Sequence, residues 1–216
     1  MLDLNKLKTW VRRASLLEKD RWFYHACPDE TSVLDVGVSR ETKEQPLQNH
    51  FLKNYRFNET TYVGLGVQNL TPVRKRYPAR EFVEYLGGDF PFSDKQFGCV
   101  HSNSVIEHVG DEKAQLKFVN EMLRVGNTVF FTTSNKYFPV EAHTNVLFLH
   151  WNDSLFFWWR RKFWRKKNKY DPYLFSYWRL RKLLAASDAK RYVIKSFRKM
   201  GLPMVFVVVC TTDVMS

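Results

Sequence analysis

The sequence lacks any apolar run near the roughly 20 residues that a membrane-spanning helix needs. Its longest clear candidate, Met204 to Cys210, is strand-sized. The first twenty residues, MLDLNKLKTWVRRASLLEKD, are interrupted by charges every few positions, unlike the apolar stretch of a secretion signal. A cytoplasmic location is therefore expected. Cysteine is scarce: Cys27, Cys99 and Cys210 stand far apart, with no CxxC or metal-ligand spacing. They read as thiols in a reducing compartment, without a disulfide, and no metal is expected. Internal repeats and low-complexity segments are also missing, which excludes solenoid architectures.

What is present is ordinary in bulk and uneven in detail. At 216 residues the chain suits one well-buried domain and is short for two. The formal net charge is +12. Residues 1–159 hold 19 Lys/Arg against 19 Asp/Glu, whereas residues 160–199 hold 15 against 2. The basicity belongs to one segment. Aromatic residues are concentrated beside it, with 12 in the 28 positions from Trp151 to Trp178.

Leu2 to about Tyr24 reads as an amphipathic N-terminal helix with Leu4, Leu7, Val11 and Leu16 as its stripe. Short Val- and Leu-rich runs then follow at Ser32–Gly37, Thr61–Val67, Glu81–Leu86, Phe97–Ser102 and Asn127–Thr133. Such runs suit strands buried on both faces of a parallel sheet. Helical stretches are expected between them, most clearly over Asp111–Val125. This alternation points to βαβ units. Tyr192–Phe197 and Pro203–Thr211 are separated only by Arg198–Leu202, too short for a crossover helix, so they should pair as an antiparallel hairpin. The expected fold is α/β: a Rossmann-like seven-stranded sheet, five strands parallel plus a C-terminal antiparallel hairpin, with helices on both faces. It forms a single domain over residues 1–216, with an N-terminal helix (about 1–25) and an aromatic and basic insertion (about 135–178).

In such sheets a ligand lies outside the carboxyl ends of the strands, where the strand order switches. The first strand ends in Leu34-Asp35-Val36-Gly37-Val38-Ser39. Glycine allows close backbone approach there, and a carboxylate can accept hydrogen bonds from a ligand amine. Alone this is a common strand ending. The block Gly88–Phe97 (GDFPFSDKQF), followed by Ser104-Val105-Ile106-Glu107-His108-Val109, is more distinctive. So is Asn135–Thr144 (NKYFPVEAHT) followed by Leu149-His150-Trp151.

Over about residues 32–142 these motifs resemble class I S-adenosylmethionine-dependent methyltransferases, in particular the type 11-like domains of a small bacterial branch. The resemblance implies S-adenosylmethionine as cofactor. It implies that Asp35, Gly37 and Ser39 lie around the methionine part, that Asp89 takes the adenine amino group and that Phe90 packs on the ring. Ser102 and Asn103 would meet the methionine end. Such enzymes usually carry an acid after the second strand for the ribose hydroxyls; here Gly66 or Val67 stands in its place, with Gln68 following as a neutral substitute. The loss of a charge-assisted hydrogen bond of that kind amounts to about 1.5–3 kcal/mol, or roughly ten- to hundredfold in affinity. No catalytic residue is assigned; His108, Glu141 and His143 are candidates for a general base.

Leu155, Phe156, Trp159 and Phe163 recur at helical spacing beside Arg160, Arg161, Lys162, Arg165, Lys166 and Lys167. This segment reads as a lid packed on the core, as an interfacial helix touching anionic membrane through residues 155–182, or, ranked last, as a nucleic-acid surface. The implied activity is methyl transfer to a small, lipid-linked or glycan acceptor. The competing readings are an RNA or protein methyltransferase and a non-catalytic module that keeps the fold.

Overall fold

The computed structural model describes residues 4–27, 31–40, 47–141, 144–163, 172–199 and 201–212. In chain order the main elements are α1 (Leu4–Ala26), β1 (Val33–Val36), α2 (His50–Lys53), β2 (Tyr62–Gly66), α3 (Thr71–Arg76), β3 (Glu81–Glu84), β4 (Phe97–Asn103), α4 (Glu112–Val125), β5 (Gly126–Ser134), α5 (Asp153–Phe163), α6 (Tyr177–Ala186), β6 (Arg191–Lys199) and β7 (Leu202–Thr211). The seven strands form one sheet in the order β3-β2-β1-β4-β5-β7-β6. The first five run parallel; β7 is antiparallel to both β5 and β6. This is the expected architecture.

Adjacent strand residues point to opposite faces, and here both faces are buried. Leu34, Val100, Val129, Phe131 and Val208 join Phe118, Val119, Met122 and Leu123 of α4 and Leu180 and Leu184 of α6 in one core. Their neighbours Val33, Cys99, Phe130 and Val207 face the other way, against Phe23 of α1, Phe51 and Leu52 of α2 and Val73 of α3. Near-continuous apolar runs in the sequence reflect this double burial. The edge strand β6 instead alternates exposed and half-buried residues, and Arg191, Lys195 and Arg198 along it discourage edge-to-edge pairing. Helix starts are chemically marked: the Asp111 carboxylate accepts from the Ala114 amide at 3.0 Å, and the Ser176 hydroxyl accepts from the Arg179 amide at 3.2 Å.

Residues 85–96, between β3 and β4, form the loop that the GDFPFSDKQF block suggests, because Gly87, Gly88 and Pro91 break helical continuity. The loop is clasped by Arg124, which donates to the carbonyls of Phe90 and Phe92 and pairs with Asp94 and Glu121. Two other features differ from expectation. Cys27 and Cys99 are joined as a disulfide, their Cα atoms 6.2 Å apart, instead of remaining thiols. The C-terminus of α1 folds over the start of β4 and so brings together residues 72 positions apart. Cys210 stays free and buried, and burial pushes its thiol up to about 12. Finally, the aromatic stripe of α5 is divided. Phe156 and Arg160 are buried, while Leu155, Trp158 and Phe163 face outward. The basic run 164–171 lies outside the described residues.

Candidate functional site

The strand order reverses between β1 and β4, so the carboxyl ends of these two strands frame the crevice that the topology offers to a ligand. Gly37 closes β1 with φ +102, and a Cβ there would overlap a Val105 methyl group. Only glycine fits both the backbone angle and the space. The amides of Gly37 and Val38 donate to the Leu65 carbonyl at 2.9 and 3.1 Å, which ties the loop to β2. Ser39 continues it, held by Gln48 at 2.6 Å and by reciprocal bonds with Asn49. Gln68 is exposed just past β2 and accepts from the Arg40 amide at 3.0 Å. It therefore bridges the loops after β1 and β2.

Asp35 is turned toward the α1 face and is buried. One carboxylate oxygen accepts from the Tyr62 hydroxyl at 2.6 Å, and the other lies 2.7 Å from Nδ1 of His101. Burial beside that carboxylate drives the Tyr62 hydroxyl well above its usual range. His101 stacks on Phe51 at 3.8 Å between ring centroids. Asp35 thus braces the sheet directly beneath Gly37.

On the far side of β1, Gly87 and Gly88 both have positive φ, and nothing lies within 4 Å of the Cβ either would carry. Asp89 follows with its side chain 77% exposed, 2.8 Å from Lys117, whose ammonium holds the carboxyl below its usual range. The Phe90 ring turns inward, edge-on to Tyr85 and Phe118, and its amide donates to Glu121 at 2.6 Å. Phe90 anchors the loop; the Gly87–Asp89 backbone and the Asp89 carboxylate make the open surface.

The carboxyl end of β4 carries a buried polar cluster. Ser102 is buried, and the side-chain oxygen of Asn103 accepts from Thr132 at 2.7 Å and from Lys19 Nζ at 2.8 Å. Lys19 is only 6% exposed. Burial lowers its ammonium to about 8, opposed by the nearby Glu107 carboxylate. Glu107 is fully buried and accepts from Thr133 at 2.9 Å through Oε2; its Oε1 has no hydrogen-bond partner among the described residues. Sequence reading missed Lys19, although the signal was there. It stands on the same helix face as Leu16 and Phe23, where a charged residue is out of place unless it has a buried partner.

His108 is half-buried in the short 3-10 turn Ile106–His108. Glu141 is buried and accepts from the amide and hydroxyl of Thr144 at 2.6 and 2.7 Å. His143 lies outside the described residues. Nearby, His150 is buried with Nε2 2.9 Å from the Phe138 carbonyl, and burial keeps its imidazole below the usual range. A cavity of about 500 Å³ opens at the same edge of the sheet, between the end of β5, the start of α6 and the β6–β7 hairpin. Its walls include Tyr137, Tyr177 and Trp178, with Lys195 and Arg198. Among the described residues, no group of three or more His, Cys, Asp or Glu could hold a metal ion, and no helix is long and apolar enough to cross a membrane.

These features fit S-adenosylmethionine. Opposite charges and an unsatisfied buried oxygen at β4 suit an amino-acid head, and open backbone is available at the Gly87–Asp89 end. Residues 34–130 match a family model described as a methyltransferase domain. Among solved structures, a Thermotoga maritima methyltransferase, described as a possible histamine N-methyltransferase, superposes with a TM-score of 0.58 at 16% identity, covering 98% of this chain and 96% of that one. The 1,6-didemethyltoxoflavin-N1-methyltransferase of Burkholderia thailandensis, solved with 1,6-didemethyltoxoflavin and S-adenosylhomocysteine bound, gives 0.58 at 15% identity, covering 97% and 83%. A methyltransferase from Methanosarcina mazei gives 0.57 at 13%, covering 88% and 95%. At these identities the likeness speaks for the fold. No functionally curated protein matches the chain significantly. Residues 34–130 thus make the chain similar in sequence to a methyltransferase domain, and the 3-2-1-4-5-7-6 sheet makes it similar in fold to S-adenosylmethionine-dependent methyltransferases.

Proposed function

We propose that this protein transfers the methyl group of S-adenosylmethionine to a small or lipid-linked (glycan) acceptor. The observation that carries this reading is the cavity of about 500 Å³ at the carboxyl edge of β5, whose aromatic walls suit a compact acceptor and whose Lys195 and Arg198 suit an anionic one. The Burkholderia relative in fold, crystallised with a small aromatic acceptor, supports a small molecule over a polymer. In the cofactor site, Gly37 and Ser39 curve around the methionine part and Asp35 braces their turn. Gln68 stands by the ribose, Asp89 takes the adenine amino group with Phe90 fixing its loop, and Ser102 and Asn103 border the methionine end. Alignment of donor and acceptor supplies most of the rate; His108, Glu141 and His143 remain the candidates for accepting a proton.

The lipid part of the reading rests on the rim beside α5. Leu147, Phe148, Trp151, Leu155, Trp158 and Phe163 are all exposed. Lys162 Nζ lies 5.2 Å from the Trp158 ring centroid. An apolar rim adjoining residues 160–199, which hold 15 basic against 2 acidic residues, is complementary to an anionic bilayer surface. The location that goes with this reading is the cytoplasm, peripheral to the inner membrane face.

The test is transfer of radiolabelled methyl groups into fractionated cell extract, with flotation on vesicles with and without anionic lipid. Label in the organic-soluble or glycan fraction, lost on charge reversal of Lys195 and Arg198, supports the proposal. Label confined to RNA or protein favours the competing acceptors. Failure to float with anionic vesicles removes the membrane part.

A further inference from the structure

The geometry points to Lys19 of α1 and Glu107 after β4 as a paired receptor for an α-amino-acid head group, the one carried by the cofactor: Lys19 for its carboxylate and Glu107 Oε1 for its ammonium. The inference rests on S-adenosylmethionine as the cofactor of the proposed function and is independent of the acceptor proposed above. Lys19 Nζ has three donors, and Asn103 takes one of them. Glu107 contributes one oxygen to Thr133 and leaves Oε1, in a fully buried side chain, without a partner among the described residues. Ser15 Oγ, one helical turn before Lys19 on the same face of α1, is likewise buried and without a partner. A protein interior leaves few polar groups unsatisfied, and such groups invite an explanation. Two such oxygens, beside a buried ammonium and a buried carboxylate near the switch point of the sheet, are complementary to a zwitterion.

The electrostatics agree with the geometry. Burial lowers the Lys19 ammonium to about 8, while the Glu107 carboxylate favours its charged form and Arg12 opposes it. A ligand carboxylate arriving beside Lys19 would restore part of the hydration that burial removed. The ligand's ammonium would do the same for Glu107. The assignment also gives α1 a function: the helix brings a positive charge to a crevice where the strand ends supply neutral groups and carboxylates.

An amino-acid head could equally belong to a free amino acid acting as acceptor, and the experiment separates the two sources. Binding of S-adenosylhomocysteine and of 5′-methylthioadenosine, which lacks the amino-acid head, is measured by calorimetry on the full chain and on Lys19→Met and Glu107→Gln. Lys19→Met should weaken S-adenosylhomocysteine roughly ten- to hundredfold, as expected for loss of a charge-assisted hydrogen bond, and leave methylthioadenosine within about twofold. Glu107→Gln should weaken S-adenosylhomocysteine relative to its deaminated analogue. Equal losses for both nucleosides in both variants would mean a structural role and overturn the inference, as would no loss for either. Free methionine that binds alongside saturating S-adenosylhomocysteine, and loses affinity in Lys19→Met, would assign the receptor to an acceptor and overturn it too. If the unaltered protein binds neither nucleoside, cofactor binding itself has failed, a different outcome from failure of Lys19. Should Lys19→Met not fold, Glu107→Gln carries the test alone.

Discussion

The carbonyl oxygen of Val38 lies so close over Gly66 that a Cβ on residue 66 would overlap it. The loop leaving β1 crosses the end of β2 at this point, fixed there by the bonds of Gly37 and Val38 to Leu65. An acid at position 66 cannot coexist with that crossing. Val67, next along, is 65% exposed and unconstrained. Gly66→Asp is therefore expected to destabilise the protein by about 3 kcal/mol through overpacking against backbone, without improving cofactor binding. Val67→Asp should keep the melting temperature and tighten S-adenosylhomocysteine up to roughly tenfold by supplying a carboxylate near the ribose. Thermal melts and calorimetry decide. A Gly66→Asp protein as stable as the parent would remove the explanation for the missing acid.

Asp35 leads to a prediction about stability. Its two oxygens serve Tyr62 and His101 inside the sheet. Asp35→Asn replaces one acceptor by a donor and leaves a buried group mismatched, so about 2 kcal/mol of stability should be lost in urea unfolding. Cofactor affinity should follow only as far as the turn at Gly37 loosens. A variant with normal stability and abolished binding would instead make Asp35 a direct ligand.

The sequence announced the sheet because its strands are buried on both faces and its last connection is too short for a helix. Gly37 could be read as a ligand turn for the same reason: glycine at a strand end has a geometric meaning. Other features depended on the fold itself. The pairing of Cys27 with Cys99 requires knowing that α1 lies over β4, which no spacing reveals. Phe90 and Asp89 are neighbours in sequence yet diverge in role, since the Gly87–Gly88 turn sends one ring inward and one carboxylate outward. Lys19 was legible only as an anomaly, a charge on an apolar stripe whose partners sit 84 and 88 positions away at Asn103 and Glu107.

Asp89 offers a clean separation of binding from stability. Its ion pair with Lys117 is exposed on both sides, and pairs of that kind contribute little to folding. Asp89→Ala should therefore leave the melting temperature nearly unchanged while weakening S-adenosylhomocysteine severalfold. Lys117→Ala frees the carboxylate and should not weaken binding. Unchanged affinity in Asp89→Ala would count against the adenine assignment.

The disulfide closes a loop of 72 residues between α1 and β4. On loop entropy alone such a cross-link stabilises by about 4 kcal/mol. Reduction, or Cys27→Ser, should lower the melting temperature by several degrees while leaving the sheet folded, because Phe23 of α1 still packs on Phe130 of β5. Cys210, buried with its thiol raised, should resist alkylation in the native state. Identical melting with and without reductant would show that the bridge contributes nothing to holding α1.

Lys19 should also be visible in the pH dependence of stability. Its ammonium titrates at about 8 when folded, against 10.5 as the ordinary value. Below pH 8 both states carry the proton, and the folded state bears the full cost of a buried charge. Between about 8 and 10.5 the unfolded chain keeps a proton that the folded chain has released, so stability rises with pH. The whole interval corresponds to about 3 kcal/mol. Tyr24 and Tyr62, raised by burial, act in the opposite sense above pH 10, since the unfolded chain then loses protons that the folded one retains. Both tyrosines remain in Lys19→Met, so their effect cancels when the two proteins are compared. The stability of the parent minus that of Lys19→Met should climb across this window and be flat below it. A flat difference throughout would mean that Lys19 keeps its ordinary affinity for the proton and sits in water, not against Asn103.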